Sequence, residues 1–199
     1  AADYGTGTVP GFSSGFPVDF AILKNGVATT AAPLATSRLT QERYLNTSST
    51  DAELSGPNFT FDHMDGWAVA YSGTGFSWMW KRAPNFFDVV AYTGDGVAGR
   101  TVSHNLGVAP EMMWIKKRSN TNNWKTFHSS LGATKSMELN TTVAAETNGS
   151  SLWNSTAPTA SVFTLGSAGD VNSGSHTYIA MLFATVANVS KVGSFTQSG

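Results

Sequence analysis

Apolar positions along the chain fall in short runs rich in aromatic and β-branched residues, separated by clusters of Gly, Ser, Thr and Asn. Val18, Phe20 and Ile22 alternate with Asp19, Ala21 and Leu23, and Met112 and Trp114 alternate with Glu111, Met113 and Ile115. Both faces of these runs are mostly apolar, the pattern of strands buried on two sides. Trp124, Thr126 and His128 alternate with Lys125 and Phe127, which predicts a shorter, half-exposed strand. The run 178–186 predicts another strand, matched by 76–80. Gly94-Asp-Gly96, Gly73-Thr-Gly75 and Ser173-Gly174 are turn signals. Only 37–45 and 134–139 read as helical, and both are short. Many short strands with regular turn signals predict an all-β protein built of antiparallel sandwiches.

The runs also recur. Tyr4-Gly-Thr-Gly opens a segment that Tyr92-Thr-Gly-Asp-Gly opens again, and Phe195-Thr-Gln-Ser-Gly199 repeats the opening once more. Phe20 to Lys24 falls on Met112 to Lys116 at an offset of 92, and Leu45-Asn46-Thr47 on Leu139-Asn140-Thr141 at 94. Phe59-Thr60 falls on Phe163-Thr164 at 104, Phe76 to Met79 on Tyr178 to Met181 at 102, and Val89 to Thr93 on Val192 to Thr196 at 103. The offsets drift only in polar segments, where surface loops tolerate insertion. The expectation is two tandem antiparallel β-sandwich repeats, 1–91 and 92–193, with 194–199 a third opening or a linker. A chain that stops at such an opening reads as an excerpt from a longer polypeptide.

Composition narrows the function classes. Formal net charge is −1 and charged residues make up 13%, against roughly 25% in an ordinary globular chain. Basic residues cluster only at Lys116-Lys117-Arg118 and Lys81-Arg82, so no nucleic-acid partner is expected. Cysteine is absent, which removes disulfides and thiolate metal sites. No apolar run approaches the ~20 residues of a membrane span, and no signal pattern is read at the Ala-rich start. Neither membrane insertion nor a targeting segment is expected.

One resemblance adds to this reading. Tyr92-Thr-Gly-Asp-Gly, then 105–118 (Asn-Leu-Gly-Val-Ala-Pro-Glu-Met-Met-Trp-Ile-Lys-Lys-Arg), then Leu131-Gly-Ala-Thr-Lys-Ser-Met-Glu-Leu-Asn140 and Tyr178-Ile-Ala-Met-Leu-Phe183 resemble a repeat of large virion proteins in tailed, especially marine, bacteriophages. The first copy resembles it through Gly15-Phe-Pro-Val-Asp-Phe-Ala-Ile-Leu-Lys24, Arg43-Tyr-Leu-Asn-Thr47, Trp80-Lys-Arg-Ala-Pro84 and the segment 87–92. It has a shorter middle loop and no alignable counterpart of 124–128. The resemblance implies a structural or host-adhesion role on the extracellular phage particle and supplies no catalytic residues. A tail-fibre segment would have other virion proteins and sister subunits, as a homotrimer, for partners. Two alternatives stand beside it, a capsid decoration or head-fibre protein and a polysaccharide depolymerase module.

Candidate chemistry is sparse. Gly5-Thr-Gly7 and Gly94-Asp-Gly96 lack the spacing of a phosphate loop and read as turns. Asp62-His63-Met-Asp65 has no histidine pairing suited to zinc, and Asp170-Val-Asn172 lacks the ligand density of a calcium loop, so no metal and no cofactor are expected. No Gly-x-Ser-x-Gly elbow marks a nucleophile, and no carboxylate pair selects itself, so no catalytic residue is assigned. Aromatics give the better signal, with six Trp and five Tyr. Trp78, Trp80 and Trp114, inside expected strands, read as core or inter-repeat packing. Trp124 and Trp153 lie among Asn and Ser in polar segments, and with His128 and Asn154 they are the candidates for a glycan-stacking face on a host surface. The competing reading places both rings over the ends of a small sandwich or against a neighbouring subunit. Asn-x-Ser/Thr sequons at Asn46, Asn58, Asn140, Asn148, Asn154 and Asn188 follow from composition alone.

Overall fold

The computed structural model describes residues 2–3, 10–25, 32–56, 59–70 and 74–196. The Tyr4-Gly-Thr-Gly opening, Asn58, Gly73 and residues 197–199 of the third opening lie outside them. The chain is all-β, with several antiparallel sheets. It divides into two compact units, Ala1–Arg82 with Arg118–Asn122, and Ala83–Lys117 with Asn123–Gly199.

Unit 1 carries β1 (Ala2–Asp3), β2 (Phe12–Ser13), β3 (Phe20–Asn25), β4 (Leu34–Ser37), β5 (Arg43–Asn46), β6 (Leu54–Ser55), β7 (Phe59–Thr60), β8 (Gly66–Val69) and β9 (Thr74–Trp80). Unit 2 carries β10 (Phe87–Thr93), β11 (Arg100–Ser103), β12 (Met112–Lys117), β13 (Lys125–His128), β14 (Lys135–Glu138), β15 (Glu146–Thr147), β16 (Val162–Leu165), α1 (Gly169–Asn172) and β17 (Thr177–Phe183). Each unit has a six-stranded sheet, ordered β1-β9-β3-β4-β5-β6 in one and β10-β17-β12-β13-β14-β15 in the other. The second sheet is β2-β8-β7 in unit 1 and β11-β16 in unit 2. In unit 2 the core takes Met113, Ile115, Ala180 and Leu182 from the large sheet and Val102, Phe163 and Leu165 from the small one. In unit 1, Ala21 and Leu23 meet Phe12, Phe59, Trp67 and Val69. The Trp67 ring stacks on Phe12 and Phe61 at centroid distances of 5.4 and 5.5 Å.

The two large sheets have the same strand order, and register refines the sequence match. Phe20 lies opposite Trp80 and Ser37, as Met112 lies opposite Phe183 and His128. β4 therefore stands where β13 stands, giving the segment 124–128 the counterpart that alignment did not find. Leu45 faces Ala35 as Met137 faces Thr126, so Leu45 corresponds to Met137 rather than Leu139. A two-residue slip preserves strand alternation, which is why the wrong match looked sound. A one-residue slip does not. Trp78 faces Ile22 as Met181 faces Trp114, so the offset there is 103 rather than 102. Phe76 is half-exposed whereas Tyr178 is fully buried, as residues on opposite faces of the sheet are. Phe163 faces Val102 as Trp67 faces Phe12, so its counterpart is Trp67 rather than Phe59. The expected boundary at 91/92 falls inside β10, which pairs with β17 over its whole length.

Neither expected helix forms. In 37–45 the Ser37 and Thr40 side chains bond nearby backbone, Thr40 Oγ1 accepting from Ser37 N–H (3.2 Å) and donating to Ser37 O (3.0 Å), which closes a turn into β5. The stretch 134–139 holds β14, with Glu138 opposite Lys125. The one helix among the described residues is α1, a single turn held by phenols. Tyr92 Oη donates to Val171 O (2.8 Å), and Tyr178 Oη donates to Gly169 O (2.8 Å) while accepting from Ser173 N–H (2.8 Å). Burial pushes both phenols above their ordinary value of 10.0, so they stay protonated donors. Strand β13, expected to be half-exposed, is buried along its whole length.

Candidate functional site

The four sequence candidates do not form one surface. Trp124 and Trp153 are 0% and 1% exposed, so neither ring offers a face to a sugar. This overturns the stacking role assigned to them. Trp153 belongs to the unit 2 core, meets Phe127 edge-on at 5.8 Å and donates from Nε1 to Lys135 O (2.9 Å). An indole can leave a polar segment for the core when its one N–H finds a backbone acceptor. Trp124 N–H donates to Asn140 Oδ1 (2.9 Å), and Asn140 Nδ2 donates to Asn123 Oδ1 (2.9 Å). The Asn123 amide beside Trp124 is thus bound within the fold. Asn154 sits at φ 50° in a turn, its N–H donating to Ser150 O (3.1 Å). Of the strand tryptophans, Trp78 is 53% exposed and so stands outside the unit 1 core.

Of the four, His128 borders an opening. A pocket of ≈ 260 Å³ on unit 2 is lined by His128, Ser130, Leu131, Met137 and residues 193–195. β13 ends at His128, and the chain turns back through Gly132, whose φ of 75° suits glycine. Ser130 N–H donates to His128 Nδ1 at 3.2 Å, so that nitrogen is an acceptor. Ser130 Oγ also lies 2.8 Å from Nδ1. A serine beside an imidazole is the contact used in nucleophilic catalysis. There the base needs a third group to orient it, and among the described residues none bonds to Nε2.

His104 shows what the arrangement does. Leu106 N–H donates to His104 Nδ1 at 3.2 Å, the same step from residue i to i+2. Both imidazoles close turns as Asx side chains do. His104 is buried against Phe163. Burial holds it below its ordinary value of 6.5, and the Thr159 backbone and Asp88 carboxylate only partly offset this. Between its lowered folded pKa and 6.5 the unfolded chain binds more protons, so unit 2 loses stability as pH falls below 6.5. His104→Asn, which keeps an acceptor for Leu106 N–H, is expected to flatten that slope in denaturant titrations between pH 5 and 7. An unchanged slope would assign the pH dependence to other groups.

Other charged groups are bound internally. Lys125 Nζ donates to Glu138 Oε1 (2.6 Å), which also accepts from Asn123 Nδ2 (2.9 Å). Burial raises the Glu138 carboxyl, but its bonds from Lys125, Asn123 and Thr141 outweigh that and hold it below its ordinary value of 4.5. Of the basic run, Lys116 is fully buried with Nζ donating to Lys117 O (2.9 Å), and within unit 1 Arg118 grips Glu53 through two bonds of 2.7 and 2.9 Å. Asp62 to Asp65 occupy a loop before β8, and no cluster of three metal-ligating side chains occurs among the described residues.

A family model described as a domain of unknown function (DUF7483) matches residues 83–199, starting at the residue where unit 2 starts. No curated protein and no solved structure matches the chain.

Proposed function

Since the chain belongs to the family described as a domain of unknown function (DUF7483), we propose, from its architecture rather than from any inherited activity, that it is a structural segment of a phage virion appendage. In this reading two tandem antiparallel β-sandwich repeats form a stiff spacer in a tail fibre and present loops to a host surface. The observation that carries it is the common strand order of the two six-stranded sheets. One unit used twice builds length and surface, and many copies on a particle turn weak contacts into avidity. The internal use of His104, His128, Lys125 and Glu138 favours shape over reaction as the source of its value. Contact with a host glycan, if the appendage makes one, uses rings other than Trp124 and Trp153.

Particles of the phage that encodes the chain provide the test. Gold-labelled antibody raised against it should mark tail appendages in electron micrographs. Label confined to the capsid would move the protein to the shell, and unlabelled particles would end the virion reading. Release of reducing ends from host polysaccharide by the purified chain would replace a spacer with a depolymerase.

A further inference from the structure

At the start of β13 one carboxylate oxygen serves two nitrogens. Glu138 Oε1 accepts from Lys125 Nζ at 2.6 Å and from Asn123 Nδ2 at 2.9 Å. Glu138 lies opposite Lys125 in the β13–β14 pair, and Asn123 stands two residues before Lys125, one strand period away. Thr141 Oγ1 donates to the other carboxylate oxygen, Oε2, at 3.2 Å and so fixes its orientation. The Asn123 carbonyl is engaged as well, its Oδ1 accepting from Asn140 Nδ2 at 2.9 Å. Asn140 is held in turn by Trp124 N–H. The Lys125 and Glu138 side chains are 8% and 10% exposed, so little water reaches the pair.

An ion pair needs less than this. An amine, a carboxamide, a carboxylate touching both nitrogens and an N–H on the amide oxygen are the parts of an aminolysis. Groups held together by the fold react as if each were present at very high concentration. A carboxylate shared by nucleophile and leaving group can take a proton from the first and give one to the second. The N–H on the carbonyl oxygen stabilises the negative charge that attack develops there. Exclusion of water favours the amine over hydrolysis of the amide.

We propose that the chain modifies itself here, joining Lys125 to Asn123 through a side-chain amide with loss of ammonia. Lys125 Nζ passes one proton to Glu138 Oε1 and, as a neutral amine, bonds to Asn123 Cγ. Asn140 Nδ2–H holds the amide oxygen while it carries negative charge. Glu138 then gives its proton to Asn123 Nδ2, and the Cγ–Nδ2 bond breaks with its electron pair leaving on ammonia. The surplus proton on Nζ passes to Glu138 and on to the ammonia, which departs as ammonium. The carboxylate is regenerated, and no oxidant or co-reactant is consumed. The bonds that keep Glu138 ionised oppose the first proton transfer, so the reaction is slow and runs once per chain. Its product is a ring closed across Trp124 at the entry to β13. The inference stands on unit 2 alone and not on where the protein resides.

Intact-mass spectrometry of the 199-residue chain, stored for a week after purification, should show a species lighter than its sequence by one ammonia. Trypsin cuts after a free lysine and not after an acylated one, so 119–135 should emerge as one peptide uncut at Lys125. Lys125→Arg keeps the charge and a donor for Glu138 but supplies no attacking amine, so it should hold its full mass. Glu138→Gln keeps the shape and removes the proton acceptor, and it too should hold its full mass. Circular dichroism would verify that each variant folds, and the arginine variant decides if the glutamine one does not. A wild-type chain of full mass after storage would overturn the bond. So would an ammonia loss with 119–125 released as a separate peptide, or a loss that persists in Lys125→Arg. None of these outcomes affects gold labelling of particles, so failure of the bond and failure of the virion reading remain distinct.

Discussion

Trp153→Ala is expected to cost about 3–5 kcal/mol, the range for emptying a buried large aromatic site. For a unit of this size that is a fall in the unfolding midpoint of more than about 10 °C. The ring packs among Phe127, Leu152 and Leu165, and its removal opens a cavity in the unit 2 core. The substitution also strips Lys135 O of its donor. Trp153→Phe separates the two effects. It keeps much of the packing and loses only the hydrogen bond and part of the ring, for a cost of about 1–3 kcal/mol. Thermal and guanidinium unfolding of the three proteins would read the order wild type, Phe, Ala. An alanine variant with an unchanged midpoint would place the indole at the surface and restore it as a ligand-stacking ring.

The second large effect centres on Asn172, which is fully buried and fully bonded. Its Nδ2 donates to Val97 O and Gly166 O, both at 2.9 Å, and its Oδ1 accepts from Asp95 N–H at 3.1 Å. Its own carbonyl accepts from Gly96 N–H at 2.7 Å. One amide thus ties the loop after β10 to the end of β16 and to α1. Asn172→Leu keeps the branching and number of side-chain heavy atoms but is bulkier, and it leaves two carbonyls and one N–H without partners, at about 1–3 kcal/mol each. The expected loss is therefore about 3 kcal/mol or more. Asn172→Asp should be worse at neutral pH, because a carboxylate points acceptors at acceptors and buries a charge. Acid should partly rescue the Asp variant, since the protonated acid regains one donor. Equal stability of Asn, Leu and Asp variants would mean the loop is held elsewhere.

Alternation and turn residues alone determined that the chain is all-β, because a period of two and Gly-rich punctuation are local properties. The recurrence of 20–24 at 112–116 was legible for the same reason: β3 and β12 are central strands whose apolar faces tolerate little else. Slips of one and two residues at 76–79 and 45–47 were not legible, because strand register is fixed by partners distant in sequence. Nor could sequence rank the tryptophans. Trp153 is buried with its N–H donating to Lys135 O, eighteen residues away, whereas Trp78, inside a strand, is half-exposed. The Asn and Ser flanking Trp124 and Trp153 read as a polar surface, yet Asn123 and Asn140 bond to each other inside the fold. Composition records which groups can hydrogen-bond. Only the tertiary structure decides whether their partners are water, a ligand or the chain itself, because that choice depends on which distant strands are brought within about 3 Å.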